Sequence, residues 1–301
     1  MKGSSTNYSN TGVNLAQQVE TTIIKKKGFA FKKLHAVEAV VISIALLFLV
    51  PFYFVIVNSF KSMNELLVDT ASLPEIWRFE NYERAWTVLN LVNSIANSLI
   101  ITIITTSAIT IISAACAYRM VRHPSPFNNI MFAIFVAAMV IPIQTIMIPL
   151  IKVLNWMGII NSMPGLVVSY IGLGVAFSTF LFHGFVKSIP LEIEESAIMD
   201  GCNPYRLFWT IVFPLLKPMT VTVVLLNALH FWNEFLLAHL ILLKPELRTI
   251  QLAMNSLFGE YTKQWDLALA ALVMAITPAI VFFFSLQRYI LEGVTAGAVK
   301  G

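Results

Sequence analysis

Residues 195–214 read ESAIMDGCNPYRLFWTIVFP, a charged and polar island between long apolar segments. Its punctuation predicts two short helices. Pro190 suits the first turn of a helix, because its missing N–H costs nothing there. Glu192, Glu194 and Glu195 follow at the end of the helix that favours negative charge. The first helix is expected over about 190–200, closing at Gly201, which can take a left-handed conformation. Asn203 then caps, and Pro204 starts a second helix expected to stop at Pro214. The product is a helix-turn-helix on a membrane surface, with Leu207, Phe208, Trp209, Ile211 and Val212 towards the membrane.

The rest of the chain makes that island unusual. Of 301 residues, 57% are hydrophobic and 12% charged, about half the charged fraction of soluble domains. Crossing a bilayer as helix takes about 20 apolar residues. Six such runs occur, roughly at 36–57, 95–117, 130–151, 164–186, 219–243 and 267–286. An all-α, polytopic membrane protein is predicted, with both termini on one side. The net charge of +4 is read by location and not as a sign of nucleic acid, because Lys and Arg collect in cytoplasmic segments. With the N-terminus inside, 13 of the 20 Lys and Arg residues fall inside. Residues 1–35 form a polar cytoplasmic tail, expected to be partly disordered, with a basic juxtamembrane stretch KKKGFAFKK at 25–33. Its length before the first apolar run does not suit a cleaved signal peptide, so the first helix is expected to stay as an anchor. The membrane-spanning body is expected over 36–286 and a C-terminal cytoplasmic tail over 287–301.

Chemistry-bearing residues are few. Cys116 and Cys202 stand alone, without the C-x-x-C or paired-His spacing of a metal site. The second apolar run is dense in Ser and Thr, which allow close helix packing or line a path. The third carries Pro142, Gln144 and Pro149, and is expected to bend where neighbours satisfy the freed carbonyls. The fifth holds Glu234, with Asn227 and His230 seven and four residues earlier and so on one helical face, followed in the run Trp232, Asn233, Glu234. A carboxylate at that depth must face protein or water. A proton relay, a substrate contact and a packing hydrogen bond all fit. Trp77, Tyr82 and Trp86 in the first external loop suit an interface belt or a docking surface. The loop 244–266 is long enough to suggest a function.

The spacing Glu195, Ala197, Gly201, nine residues, Ile211, Pro214 resembles the EAA loop of ABC importer permeases, E-A-A-x-x-x-G-x9-I-x-L-P, with Ser196 and Phe213 as departures. The resemblance extends through IPIQTIMIPL at 141, SIPLEIEES at 188, Arg206, Phe208, Pro218, the run Trp232 to Phe235, Arg248 and Thr249 and the tail LEGVTAGAVKG at 291. It covers nearly the whole chain from residue 34 and is closest to the second permease subunit of maltose-type carbohydrate importers. That resemblance implies six transmembrane helices and a cytoplasmic coupling loop, 188–218, in a bacterial plasma (inner) membrane. Glu194, Glu195, Ser196, Ala197, Asp200, Gly201, Arg206, Ile211 and Pro214 would couple to the ATPase. Asn227, His230, Asn233 and Glu234 would border the path or pack helices. It also implies a heterodimer with a homologous permease, two ABC ATPase copies, an extracytoplasmic sugar-binding protein and a carbohydrate substrate. Residues 292–301 would reach between the ATPases. The chain has no GxxxxGK[ST] phosphate loop, so no cofactor of its own is expected; ATP and Mg would sit on the partners. The rival expectation is a proton-coupled transporter titrating Glu234 and His230.

Overall fold

The computed structural model describes residues 35, 37–258 and 264–298, with 286–298 described by backbone alone. The expectations for residues 1–34, including the basic stretch, and for 299–301 lie outside it. Among the described residues there are helices and no strands.

Two compact units divide the chain at Val57. The first unit's described residues form one helix, α1 (Val37–Asn58), apolar and exposed until Val57 and Asn58, which are buried. The second carries a short outer subdomain, α2 (Met63–Val68) and α3 (Glu80–Val88), then the bundle. Bundle helices are α4 (Leu91–Arg122), α5 (Pro126–Ala138), α6 (Ile143–Trp156), α7 (Met163–Val186), α11 (Lys217–Asn233) and α14 (Trp265–Ala298). Between α7 and α11 lie α8 (Leu191–Met199), α9 (Pro204–Leu207), a π-turn (Phe208–Val212) and α10 (Phe213–Leu215). After α11 come α12 (Leu236–Ile241), a 3-10 turn (Pro245–Leu247) and α13 (Ile250–Asn255).

The Ser and Thr of the second apolar run explain the central pairing. Ser94, Thr105, Ile109, Ser113 and Ala117 form one buried stripe of α4. Small side chains let α7 approach it closely. Ser113 Oγ donates to the Val175 carbonyl at 3.3 Å, and Gly174 packs on Ile109, where an added Cβ would lie 2.4 Å from Ile109 Cδ1. The contacts 109 with 174, 113 with 175 and 122 with 189 rise together, so α4 and α7 run parallel. A parallel pair needs a return between its members, and α5 with α6 supplies it. α11 runs back along α7, with Asn227 on Ser178 and Phe231 on Tyr170.

The run expected as one span over 130–151 is broken. α5 and α6 meet at 109°, with Pro142 as the extended cap of α6 and Pro149 inside it. Proline cannot continue the ladder and forces its predecessor out of the helical region. Among the described residues, four helices, α1, α4, α7 and α14, are each long and apolar enough to cross a membrane, and up to six spans result if each bent pair counts as one. The second bent pair, Pro204–Leu215 with Lys217–Asn233, turns 75°. Within the expected fifth span 219–243, α11 ends at Asn233 and α12 follows, and α14 runs through 287 to Ala298. The loop 244–266 holds the 3-10 turn and α13, capped by Thr249 Oγ1.

Candidate functional site

The island at 191–216 folds largely as its punctuation dictates. Gly201 takes φ +84°, a conformation costly for residues with a Cβ. Asn203 Oδ1 accepts from the Arg206 N–H at 2.8 Å, and Pro204 opens the next turn. Two details differ from expectation. Pro190 is the cap of α8, one position outside it. The second helix does not stop at Pro214 but passes through it and bends after Leu215. The π-turn makes this possible: Phe213 N–H donates to the Phe208 carbonyl five residues back, widening the turn where Pro214 lacks a donor and would crowd the carbonyl four residues earlier.

The island has a buried side and a free side. Ala197, Leu207, Phe208, Val212 and Leu216 pack on Ala114, Ala117, Phe182 and Val186 of α4 and α7. Glu195, Ser196, Asp200, Gly201, Arg206 and Pro214 are exposed, and Ile211 is half-buried. Met199 and Tyr205 are 87% and 82% exposed, beside Ile198. Apolar side chains this bare around an acidic helix suit a surface that a partner covers.

Glu194 does not belong to that surface. It is 3% exposed, and its carboxylate accepts from Arg122 Nε at 2.7 Å and from the Tyr118 hydroxyl at 2.9 Å. A second guanidinium nitrogen of Arg122 donates to the Ile189 carbonyl at 2.8 Å. A charge taken out of water costs several kcal/mol unless well paired, and Arg122 with Tyr118 supplies that pairing for the inward-turned carboxylate. Its immediate neighbour Glu195 stays in solvent. Arg122 and Tyr118 are functional candidates that sequence reasoning did not assign.

Asn227, His230 and Glu234 do not share one environment, contrary to the helical spacing. α11 ends at Asn233 and Glu234 is extended. Its carboxylate accepts the Leu237 and Ala238 N–H groups at 2.8 and 3.1 Å and the Tyr170 hydroxyl at 2.5 Å. Glu234 therefore caps α12, where an unpaired helix N-terminus attracts a carboxylate. Asn227 is buried, donating to Ser178 Oγ at 2.9 Å and the Val223 carbonyl at 2.8 Å. His230 and Asn233 are exposed, and Asn233 donates to the Leu229 carbonyl. A cavity of about 350 Å³ lies between α4, α11 and α14, lined by Leu99, Thr102, Thr106, Trp232, Ala279 and Phe282 among others. Among the described residues, no group of three or more His, Cys, Asp or Glu could hold a metal.

On the opposite end of the bundle, the loop region 58–90 is built from hydrogen bonds. Lys61, 1% exposed, donates to the Asp69 carbonyl at 2.8 Å. Asn81 Nδ2 donates to the Ser59 and Lys61 carbonyls, and Phe60 packs among Trp77, Phe79 and Tyr82. Ser62 and Glu65 form a capping box on α2. Hydrogen bonds from the Ser62 backbone N–H and hydroxyl hold the Glu65 carboxyl below its ordinary range. Those from the Ala71 and Ser72 N–H groups do the same for Asp69. Nearby, Asn97 Nδ2 donates to the Glu246 and Arg248 carbonyls, and Ser98 Oγ accepts the Ile250 N–H, fixing the 245–255 segment on α4.

Parallel and antiparallel apolar helices with one helix-turn-helix bare on its free side define a multi-pass membrane subunit. The chain belongs to the family of binding-protein-dependent transport system inner membrane components, whose model matches residues 107–295. It is 40% identical over 259 residues to the probable starch degradation products transport system permease protein AmyC of Thermoanaerobacterium thermosulfurigenes, covering 86% of this chain and 94% of that one. The melibiose/raffinose/stachyose import permease protein MelC of Bacillus subtilis is 32% identical over 271 residues, 90% and 98% of the two chains. Among solved structures, a chain of a bacterial ABC transporter involved in the import of the acidic polysaccharide alginate shares the fold. Its TM-score is 0.74 at 24% identity, over 86% of this chain and 96% of that one.

Proposed function

We propose that this chain is one permease subunit of an ATP-driven oligosaccharide importer, coupled to ATPase subunits through the 191–216 helix-turn-helix on its cytoplasmic side. The observation that carries the reading is the free side of that element: Glu195, Ser196, Asp200, Met199 and Tyr205 are exposed around Gly201 while its other side is locked to α4 and α7. A partner gripping such an element moves the bundle with it. A homologous permease completes the pathway, two ABC ATPase copies supply ATP hydrolysis with Mg, and an extracytoplasmic binding protein delivers the sugar. The carbohydrate class is supported by relatives named for starch products and for melibiose, raffinose and stachyose. The solved alginate transporter in complex with a pentasaccharide-bound periplasmic protein has a chain of this fold, supporting the delivery step. Transport is by alternating access, and the chain does no covalent chemistry.

The proton-coupled alternative needs Glu234 and His230 as a titrating pair. Both Glu234 oxygens already accept hydrogen bonds, and His230 is exposed. The test reconstitutes the full complex in proteoliposomes with labelled malto-oligosaccharide and ATP inside. Uptake is expected to survive a protonophore, and Gly201→Val or Glu195→Lys to lower it by about tenfold or more with normal membrane insertion. Full transport by both variants, or collapse with the proton gradient, would overturn the reading.

A further inference from the structure

We infer that Arg122, Glu194 and Tyr118 form a positioning joint that makes α8 and α4 move as one body, delivering a displacement of the coupling element directly to α4. The inference rests on the reading of 191–216 as that element. Covalently, α8 is attached to α7, through Lys187, Ser188, Ile189 and Pro190. A short link of this kind can swivel. Arg122 adds to the restraint that the packing of Ile189 and Ala197 already gives, because its guanidinium holds the link at the Ile189 carbonyl and α8 at the Glu194 carboxylate, one turn in. Tyr118, one turn earlier on α4, takes the other carboxylate oxygen. The Arg122 and Glu194 side chains are 12% and 4% exposed, so water does not loosen the contact and salt screens it little.

The destination matters as much as the grip. α4 contributes to all three apolar clusters of the bundle, through Leu91 at one end, Ile101 and Ile109 in the middle, and Ala114 and Ala117 at the other. Its far end holds the 245–255 segment through Asn97 and Ser98. A push received at Glu194 therefore enters a helix that touches every layer, as α11 does through Trp232, Phe231 and Val223, and does not depend on the α7–α8 link alone. Glu195, next in sequence, remains free for the partner. Adjacent carboxylates thus have separate roles, one facing the partner and one facing α4.

The test uses the whole complex in proteoliposomes, with benzoylphenylalanine in place of Met199 as a photo-crosslinking probe of docking. Transport per ATP hydrolysed is measured for Glu194→Gln, which keeps the shape of the side chain, and for Arg122→Lys and Arg122→Gln. The joint predicts that Glu194→Gln and Arg122→Gln keep the cross-link to the ATPase while transport per ATP falls about fivefold or more, with Arg122→Lys recovering part of the loss. An unchanged ratio with the cross-link intact overturns the joint and leaves the coupling element standing. Loss of the cross-link in the variants also overturns it, since the residues would then merely keep the docking surface folded. Failure of the parent to cross-link overturns the coupling reading itself, and the joint with it.

Discussion

Glu194 sits at one end of the bundle and Glu234 beside its middle layer, and each holds a helix break together by a different means. At the end the carboxylate of Glu194 meets the full charge of Arg122 and a phenol, both on α4. In the middle, Glu234 meets two N–H groups of the helix that follows it and the phenol of Tyr170 on α7. The first joins distant segments of the chain and so resists relative movement. The second is mostly local, shaping a turn between α11 and α12. Both were candidates for contact with something outside the chain, and both are satisfied within it. The difference teaches that a carboxylate in an apolar chain has to be read together with the donors within its reach.

The largest expected effect separates the two. Removing one member of a buried ion pair leaves the other uncompensated, at about 3–5 kcal/mol. Glu194→Ala or Arg122→Ala should therefore lower the unfolding midpoint in detergent sharply. The double change Glu194→Leu with Arg122→Met should cost less than the two singles added. Additive losses would show that the two side chains are not coupled. Glu234→Ala comes next, at about 1–3 kcal/mol, from one lost cap and a tyrosine without its partner. Its signature is local: amide exchange at Leu237 and Ala238 should quicken while the α4–α7 pair is unaffected. Equal quickening in both regions would erase the contrast.

The smallest effect concerns a third kind of carboxylate, half-buried on α2 at Glu65 and exposed just after it at Asp69. Glu65 and Asp69 have folded pKa values below their ordinary 4.5 and 3.8. A depressed carboxylate contributes stability that is complete above its unfolded pKa and is lost as pH falls through the folded value. The amide protection factors over residues 63–69, with the intrinsic pH dependence of exchange divided out, should therefore fall below about pH 4, with little change from pH 8 to 5. Glu65→Gln should flatten part of that profile. A profile unchanged by the substitution would show that Glu65 does not titrate with the loop.

Reading the sequence succeeded where structure is punctuated locally. Gly201, Asn203 and Pro204 mark their own turn within four residues, and the Ser and Thr stripe of α4 announces close packing before its partner is known. It failed where the decisive contact is remote. Nothing near Glu194 in sequence points to Arg122, 72 residues away. The break at Glu234 has neither glycine nor proline to signal it, being held by a side chain's own reach onto Leu237 and Ala238 and by Tyr170, 64 residues distant. The bend at 139–142 was half visible. Pro142 and Pro149 predicted distortion, but which of them ends a helix and which lies within one depends on the neighbours, and Pro149 stays inside α6.

Gly174 has a consequence for how this chain can change. A Cβ at that position would meet Ile109 Cδ1 at 2.4 Å, Asn227 Oδ1 at 3.1 Å and Phe231 Cζ at 3.2 Å, atoms from α4 and α11 crowding one spot on α7. The nearest obstacle is the tip of an isoleucine, a side chain that can be shortened, whereas the other two lie just inside ordinary contact. Alanine at 174 therefore displaces the Ile109 tip and needs Asn227 and Phe231 to give slightly, and a shorter residue at 109 lowers that cost, so what each of these two positions tolerates depends on the other.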